Sequence, residues 1–449
     1  MLLDFADISL THKGKLYSEL YSRIKNAVAD GVLKKGERLP SVREASSQLG
    51  ISRTTVENAY TRLCIEGIAE SLPQRGYFII GITKDHSKAL SEPVVKNEIK
   101  YDFSSRLVDP DASDTELWKK LVRSVLWDSG ELNSYGEPQG EFGLRKALAE
   151  YSYKARGVYA TADNIVVGAG VGPLLNILCR LLGRDITVGF ENGGFEEARS
   201  ILVDYGIKCF NIDSDQSGAV DTSLKTLNPD ILFLLPSALS KISPSAISYR
   251  RKLFCEWAEN ENKLIIEDDY NGELRYTARS ITAFQRMAPQ KTVYIGSFSK
   301  LLLPSVRIAY MVLPDFLARK FKSLSVYYNQ TCGKIEQLAL EKYIVSGALE
   351  KHLKKLRRLY YTKSQLLLSE LEENLNFFKS ATLFESSLTV SVELTRNFNA
   401  QDIIKETTKN GIKIAGFKGE NNLKLCFGGI KAEKIHDGII CLDKILKKL

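Results

Sequence analysis

The sequence predicts an α/β protein in two parts. A small winged helix-turn-helix domain occupies residues 1–80, and a doubly wound α/β domain occupies 101–449, with a smaller α+β lobe from about 318 to 449. Three observations carry this reading. In the first 80 residues, helical periodicity is broken twice by glycine and followed by a hairpin pattern. From 165 to 313, short apolar runs alternate with helical stretches, as in a doubly wound sheet. Between them, residues 81–100 are polar, aromatic-free and poorly periodic, which reads as a linker. At 449 residues the chain is too long for one ordinary domain. Its 44% hydrophobic and 26% charged composition is globular, which excludes a disordered, collagen-like or fibrous chain.

The elements follow in order. Leu16, Leu20, Ile24 and Val28 recur at helical spacing from Lys15 to Asp30, and Gly31 ends that helix. Leu39-Pro40-Ser41 starts the next, with Ser41 as N-cap and Glu44 three residues on, and Gly50 stops it. After the turn at Ile51-Ser52, Arg53 to Glu66 is amphipathic and closes at Gly67. Ile68–Ser71 and Tyr77–Ile80 flank Pro73-Gln74-Arg75-Gly76 as a hairpin. Beyond the linker, which would span about 25 Å, apolar strands are expected at Ile165–Gly168, Ile186–Phe190, Ile231–Leu235, Leu264–Glu267, Val293–Ser297 and Ile308–Leu313. Helices dominate after Leu317, including a long basic one through 352–367, with weaker strands at Leu388–Val392 and Leu423–Phe427.

No stretch approaches the roughly 20 apolar residues of a membrane helix, and the amino terminus, with Asp4 and Asp7 in its apolar run, is no secretory signal. Seven cysteines, an odd number at irregular spacing without a C-x-x-C pair, point to reduced thiols and a cytoplasmic protein. Histidines 12, 86, 352 and 436 lie far apart, so no metal site is expected. The net charge of +8 suits an anionic partner, but Lys/Arg exceed Asp/Glu by only two in residues 1–80. If double-stranded DNA is bound, the placement of particular arginines must do it. A recognition helix starting at Ser52, Arg53, Thr54 and Thr55 would set these side chains against bases and phosphates in the major groove. Arg38, Ser41 and Arg43 stand around the preceding helix start, which favours a phosphate, and Arg75-Gly76 forms the wing tip. The Lys/Arg cluster at 351–358 reads as a solvated helix face.

In the large domain, Gly168-Ala169-Gly170-Val171-Gly172 follows a strand and imitates a dinucleotide fingerprint, but Pro173 stands where the third glycine belongs. A turn offering helix N–H groups to a phosphate remains. The stronger constellation is Asp268 and Tyr270 after one strand, and Ser297, Ser299 and Lys300 at the end of another, because ligands of doubly wound folds sit at carboxyl ends of strands. A desolvated lysine forms a Schiff base with an aldehyde. A carboxylate opposite a pyridine nitrogen keeps that ring protonated, and Arg307 with the two serines would hold a phosphate. These are the parts of a pyridoxal phosphate site.

Two sets of motifs carry a family resemblance. The run RLPSVREASSQLGISRTTVENAYTRLCIEGIAESLPQRGYFI (38–79) resembles the winged helix of GntR-type bacterial repressors over residues 16–80. YGEPQGEFGLRKALAEY (135–151), IIEDDYNGELRY (265–276) and GSFSKLLLPSVRIAYMVLP (296–314) resemble fold-type I aminotransferases. Joined, they resemble the MocR-type transcriptional regulators. The resemblance implies that pyridoxal 5'-phosphate is bound with Lys300 as the internal aldimine, Asp268 on the pyridine nitrogen and Tyr270 on the phenolic oxygen. It also implies Arg307, Ser297, Ser299 and the turn Ala169, Gly170 and Val171 on the phosphate, Phe195 stacked on the ring, and Tyr135 reaching the partner's phosphate in a domain-swapped homodimer.

The departures matter equally. The Ser/Thr-rich turn of the family has become Gly168-Ala169-Gly170-Val171, its stacking tyrosine is Phe195, and its P-S-H-Q-x-P-x-G segment is Pro236-Ser237-Ala238-Leu239-Ser240-Lys241-Ile242-Ser243. The arginine that clamps a ligand carboxylate appears as Lys424, a point charge without a bidentate fork. The expectation is a regulator that binds operator DNA and senses a small molecule, namely an amine, an amino acid or pyridoxal phosphate itself, with little or no turnover. An active aminotransferase with a DNA-binding appendage is the alternative.

Overall fold

Leu20, Tyr21, Ile24 and Val28 line the buried face of α1 (Leu16–Ala29), and they pack on Val56, Ala59, Tyr60 and Leu63 of α3 (Arg53–Ile65). Between them lies α2 (Val42–Leu49), which starts where the Ser41 hydroxyl accepts the Glu44 amide and ends at Gly50 in the left-handed region, φ 66°. The Ser52 hydroxyl accepts the Thr55 amide to start α3. Strands β1 (Ala69–Leu72) and β2 (Gly76–Ile79) form an antiparallel hairpin, joined by a bridge from Arg38 to Phe78. This is a winged helix with its own small core.

The computed structural model describes residues 16–81, 98–104, 107–191, 196–212, 214–215, 218–219, 221–236, 244–276, 282–384, 388–396, 398–417 and 421–449. They fall into two units, one within Met1–Lys96 and the other within Asn97–Leu449. Among the described residues of the second, the strands are β3 (Tyr101–Phe103), β4 (Ile165–Gly168), β5 (Thr187–Glu191), β6 (Lys208–Ile212), β7 (Ser214–Asp215), β8 (Gly218–Ala219), β9 (Ile231–Leu234), β10 (Leu264–Asp268), β11 (Thr292–Ser297), β12 (Ala309–Val312), β13 (Phe378–Phe384), β14 (Thr389–Leu394), β15 (Ile412–Ile414), β16 (Gly416–Phe417) and β17 (Asn422–Cys426).

The main sheet has the order β4-β12-β11-β10-β9-β5-β6, with β12 antiparallel to both neighbours and the other pairs parallel. β4, β9, β11 and β12 are buried at every position, because helices cover both faces of such a sheet. β4, β10 and β11 run in the same direction, so their carboxyl ends lie at one edge, where ligands of such folds bind.

The smaller lobe is an antiparallel sheet, β13-β14-β17-β16, backed by the helices Ala348–Asn374 and Ile435–Leu446. The basic helix expected over 352–367 is longer at both ends, 27 residues in all. β3 pairs in parallel with β15, Tyr101 opposite Ile412, so the start of the large domain packs against this lobe. No helix among the described residues is long and apolar enough to cross a membrane.

Candidate functional site

On the winged helix, Arg38, Ser41, Arg43, Ser52, Arg53, Thr54 and Arg75 are exposed, while Thr55 and Gly76 are half-buried. The Ser52 and Thr55 hydroxyls lie 2.8 Å apart and are spent on starting the helix, which leaves Arg53 and Thr54 as the outward groups of the first turn. Arg38 does not stand at the start of α2. It belongs to the wing, where a Cβ on Gly76 would come within 3.3 Å of its Nε. The Arg75 guanidinium sits 5.9 Å from the Phe78 ring. Glu57, Asn58 and Thr61 are also exposed on α3, one and two turns beyond Arg53. Helical spacing alone would have added them to the reading face.

In the large unit, the end of β10 and the residue after it carry three consecutive buried carboxyls with different fates. Glu267 accepts the amides of Phe284 (2.8 Å) and Gln285 (3.0 Å). Asp269 is held by Arg156 through two nitrogens and by the Tyr294 hydroxyl at 2.9 Å. Asp268, only 3% exposed, has an Oδ1 atom with no hydrogen-bond partner among the described residues. Burial pushes its carboxyl up to about 7, and the charges of Asp269 and Glu197 add to that. An orphaned buried carboxylate oxygen at a strand end fits a cationic ring nitrogen. Tyr270 follows at once, half-buried, its phenol pushed up to about 12 by burial. Asn271 then turns the chain in the left-handed region, φ 58°.

Lys300, just beyond β11, is 6% exposed, and its Nζ donates to the Leu107 carbonyl at 2.9 Å. Burial lowers its pKa below the ordinary lysine value, against the opposing influence of Cys426 and Asp102. That keeps a nucleophilic amine within reach. Ser297 and Ser299 are in mutual contact, the hydroxyls 3.2 Å apart. Arg307 is exposed and left-handed, φ 52°, a conformation that costs energy outside glycine. Its guanidinium lies on the glycine turn, where a Cβ on Gly170 would meet Nη2 at 2.6 Å. Gly170, φ 101°, caps the helix Val171–Leu182, while the Ala169 amide donates to the Thr331 hydroxyl at 3.1 Å. Arg307 and the turn Ala169, Gly170 and Val171 thus come together at one edge of the sheet.

Lys424 lies mid-strand in β17, opposite Ser391 of β14 and Gly416 of β16, half-buried. It shares a strand face with Cys426, two residues on, whose thiol is electrostatically coupled to Lys300. Tyr135 is fully exposed. Phe195 and segment 238–243 lie outside the described residues. Two contacts escaped the sequence reading, Thr331 at the glycine turn and Leu107 on Lys300. Both come from irregular segments distant in the chain, and no local pattern marks them. The residues present fit pyridoxal phosphate: a desolvated amine, an acid with one oxygen unpaired among the described residues, a phenol and a cationic cradle.

Comparison with known proteins agrees with this geometry. Residues 16–79 match the family described as bacterial regulatory proteins, gntR family, and residues 98–439 match aminotransferase class I and II. The HTH-type transcriptional regulator YdeL of Bacillus subtilis is 32% identical over 94% of this chain and 95% of its own length. The pyridoxine biosynthesis regulator PdxR of Corynebacterium glutamicum is 32% identical over 76% of each chain. The probable rhizopine catabolism regulatory protein MocR of Rhizobium meliloti is 23% identical over 94% of this chain and 92% of its own. Among solved structures, an archaeal alanine:glyoxylate aminotransferase has a TM-score of 0.69 at 22% identity, covering 78% of this chain and 91% of its own. The kynurenine aminotransferase of Pyrococcus horikoshii gives 0.67 over the same shares. The chain therefore belongs to the MocR-type HTH transcriptional regulators, in which a gntR-family winged helix is joined to an aminotransferase class I and II domain.

Proposed function

We propose that this regulator binds operator DNA through its winged helix and pyridoxal phosphate through Lys300, and that it responds to a small molecule at that site with little or no turnover. The observation that carries the reading is Asp268 Oδ1, buried and without a partner among the described residues, at the same sheet edge as the desolvated Lys300 amine. Bound pyridoxal phosphate supplies an aldehyde and an electron-withdrawing ring. The chain supplies the rest. Lys300 provides the amine, Asp268 a counter-charge for the ring nitrogen, and Tyr270 a phenol. Ser297, Ser299, Arg307 and the turn at 169–171 would hold the phosphate, and the family resemblance assigns Phe195, outside the described residues, to the ring.

Lys424 would meet the carboxylate of an amine ligand as a single charge on a flexible stem. Such a group attracts the ligand without fixing its Cα–H bond, and positional precision of that kind supplies much of a catalytic barrier. Full exposure of Tyr135, with Trp127 at 92%, supports a homodimer in which these side chains meet the partner. The composition and reduced thiols suit the cytoplasm.

The test is an absorbance titration of the purified protein with pyridoxal phosphate, followed by borohydride reduction and peptide mapping. Label on Lys300 is expected. A Lys300→Ala protein that keeps the same visible band would overturn the assignment.

A further inference from the structure

The glycine turn that faces the phosphate has lost the side-chain hydroxyls expected there, since Gly168, Ala169, Gly170 and Val171 carry none. The helix behind it also lacks one N–H donor, because Pro173 sits within its first turn. A hydroxyl nevertheless stands at the turn. Thr331, 162 residues later in the chain, places Oγ1 3.1 Å from the Ala169 amide, and a Cβ on Gly168 would meet the same oxygen at 3.3 Å. Arg307 lies against the neighbouring Gly170. Thr331 and Arg307 therefore flank one turn.

The position of Thr331 is built rather than incidental. Gln337, fully buried, donates from Nε2 to the Gln330 side chain (3.2 Å) and to the Cys332 carbonyl (3.0 Å), the residues on either side of Thr331. Its Oε1 accepts the Glu141 amide at 2.9 Å. Nearby, the Val167 amide donates to the Gln139 carbonyl at 2.9 Å, which ties this loop to β4 immediately before the glycine turn. One buried amide thus fixes the Thr331 segment to the start of helix Phe142–Arg156, next to the strand whose end forms the turn. As acceptor of the Ala169 amide, the Thr331 hydroxyl still has its proton to donate, which is what a phosphate oxygen requires. Further along the same sheet edge, buried Asp268 Oδ1 has no partner among the described residues, a second sign that this edge takes a ligand.

We propose that Thr331 is a phosphate-binding residue of the cofactor site, its hydroxyl replacing in space the hydroxyls that the 168–171 turn lacks in sequence. This rests on the pyridoxal phosphate reading. The ligand chemistry is a phosphate monoester dianion, with Thr331 as a neutral donor beside the Arg307 charge.

The test compares pyridoxal phosphate with pyridoxal, which carries the aldehyde but no phosphate, in titrations of wild type, Thr331→Val and Thr331→Ser. Valine keeps the shape and removes the hydroxyl. The expected result is about tenfold weaker pyridoxal phosphate binding by Thr331→Val, as for loss of one hydrogen bond to a charged group. Pyridoxal binding should be unchanged, and Thr331→Ser should restore the phosphate preference. The phosphorus resonance of the bound ligand should also move in Thr331→Val and return in Thr331→Ser. Equal loss of both ligands would show that Thr331 only shapes the turn, and would overturn the proposal. Undiminished or tighter pyridoxal phosphate binding, through an uncovered Ala169 amide, would overturn it too. Failure of wild type to bind either ligand would instead remove the cofactor reading beneath it.

Discussion

Replacing Asp268 by asparagine should stabilise the cofactor-free protein at alkaline pH while weakening its hold on pyridoxal phosphate. The carboxyl sits at about 7 in the folded chain against an ordinary 3.8. A raised carboxyl means that the native state keeps a proton which the unfolded chain has released. Its stabilising share is whole below about pH 4 and is lost as pH rises through 7. The full difference corresponds to about 4 kcal/mol, of which about 3 kcal/mol falls between pH 5 and pH 8. Asparagine has no proton to lose, though burying its amide beside the same unpartnered space costs about 1–3 kcal/mol at every pH. The gap in melting temperature between the Asp268→Asn variant and wild type should therefore widen in favour of the variant by on the order of 5 °C from pH 5 to pH 8. Glu267 and Glu273, raised by the same burial, contribute equally to both proteins and drop out of the comparison. The assay is thermal unfolding at both pH values, repeated with saturating pyridoxal phosphate. The cofactor should flatten the wild-type dependence by giving Asp268 a cationic partner. In parallel, Asp268→Asn should bind pyridoxal phosphate about 10–100-fold more weakly, for loss of a charge-assisted hydrogen bond. If both proteins lose stability equally between pH 5 and pH 8, burial of this carboxyl is not the cost described. If the variant binds the cofactor undiminished, Asp268 is not the ring's partner.

Three further outcomes are expected. Arg53→Ala should cost about 1–3 kcal/mol in operator affinity and relax one base preference; unchanged mobility shifts would displace the reading face from the first turn of α3. Lys363, fully buried, donates to Asp109 at 2.7 Å, so Lys363→Met should lower stability by about 3–5 kcal/mol in denaturant unfolding, and Lys363→Met with Asp109→Asn should recover most of it; a neutral single variant would show that the pair is solvated. Amino acids mixed with the cofactor-loaded protein should yield negligible keto acid, while Lys424→Arg should tighten binding of ligands that carry a carboxylate; repeated turnovers at roughly 1 per second or faster in wild type would make the protein an enzyme.

The parts of the fold that were legible in sequence are those whose burial writes a pattern. β4, β9, β11 and β12 are buried at every position and stand out as unbroken apolar runs. The helix starts at Ser41 and Ser52 were equally readable, because an N-cap is a local bond between a hydroxyl and an amide three residues on. β6 and β13 were missed for the opposite reason. They are edge strands, half-exposed with polar residues inside, Lys208-Cys209-Phe210-Asn211-Ile212 and Phe378 to Phe384, and carry neither alternation nor a continuous run. β3 escaped because three residues are intelligible only once Ile412–Ile414 lies beside them. The site divides likewise. Lys300 and Asp268 end apolar strands, where the fold class itself places ligands. Sequence cannot by spacing choose Asp268 over Asp269, since that choice depends on Arg156 and Tyr294 occupying one and leaving the other. Nor could it find Thr331, whose relation to Ala169 exists only through the buried amide of Gln337.

The same division explains how an aminotransferase fold can serve a regulator. The groups that would capture the cofactor, namely Asp268, Lys300, Ser297 and the glycine turn, stand on or just beyond the ends of β10, β11 and β4, inside a sheet packed on both faces. Their positions are set by the core, so they persist as long as the fold does. The groups that would orient an amino acid for chemistry come from elsewhere. Lys424 rides on β17 of the smaller lobe, and the altered 236–243 segment follows β9. On the proposed function, a change there would leave cofactor capture intact and remove the fork that fixes a carboxylate. Catalysis needs both sets aligned at once, and loses most of its rate when one is displaced by an ångström. Sensing needs less: a ligand must only bind one arrangement of the lobes better than another, by as much free energy as the response requires. On the proposed function, a lysine at 424 would meet the second demand and not the first.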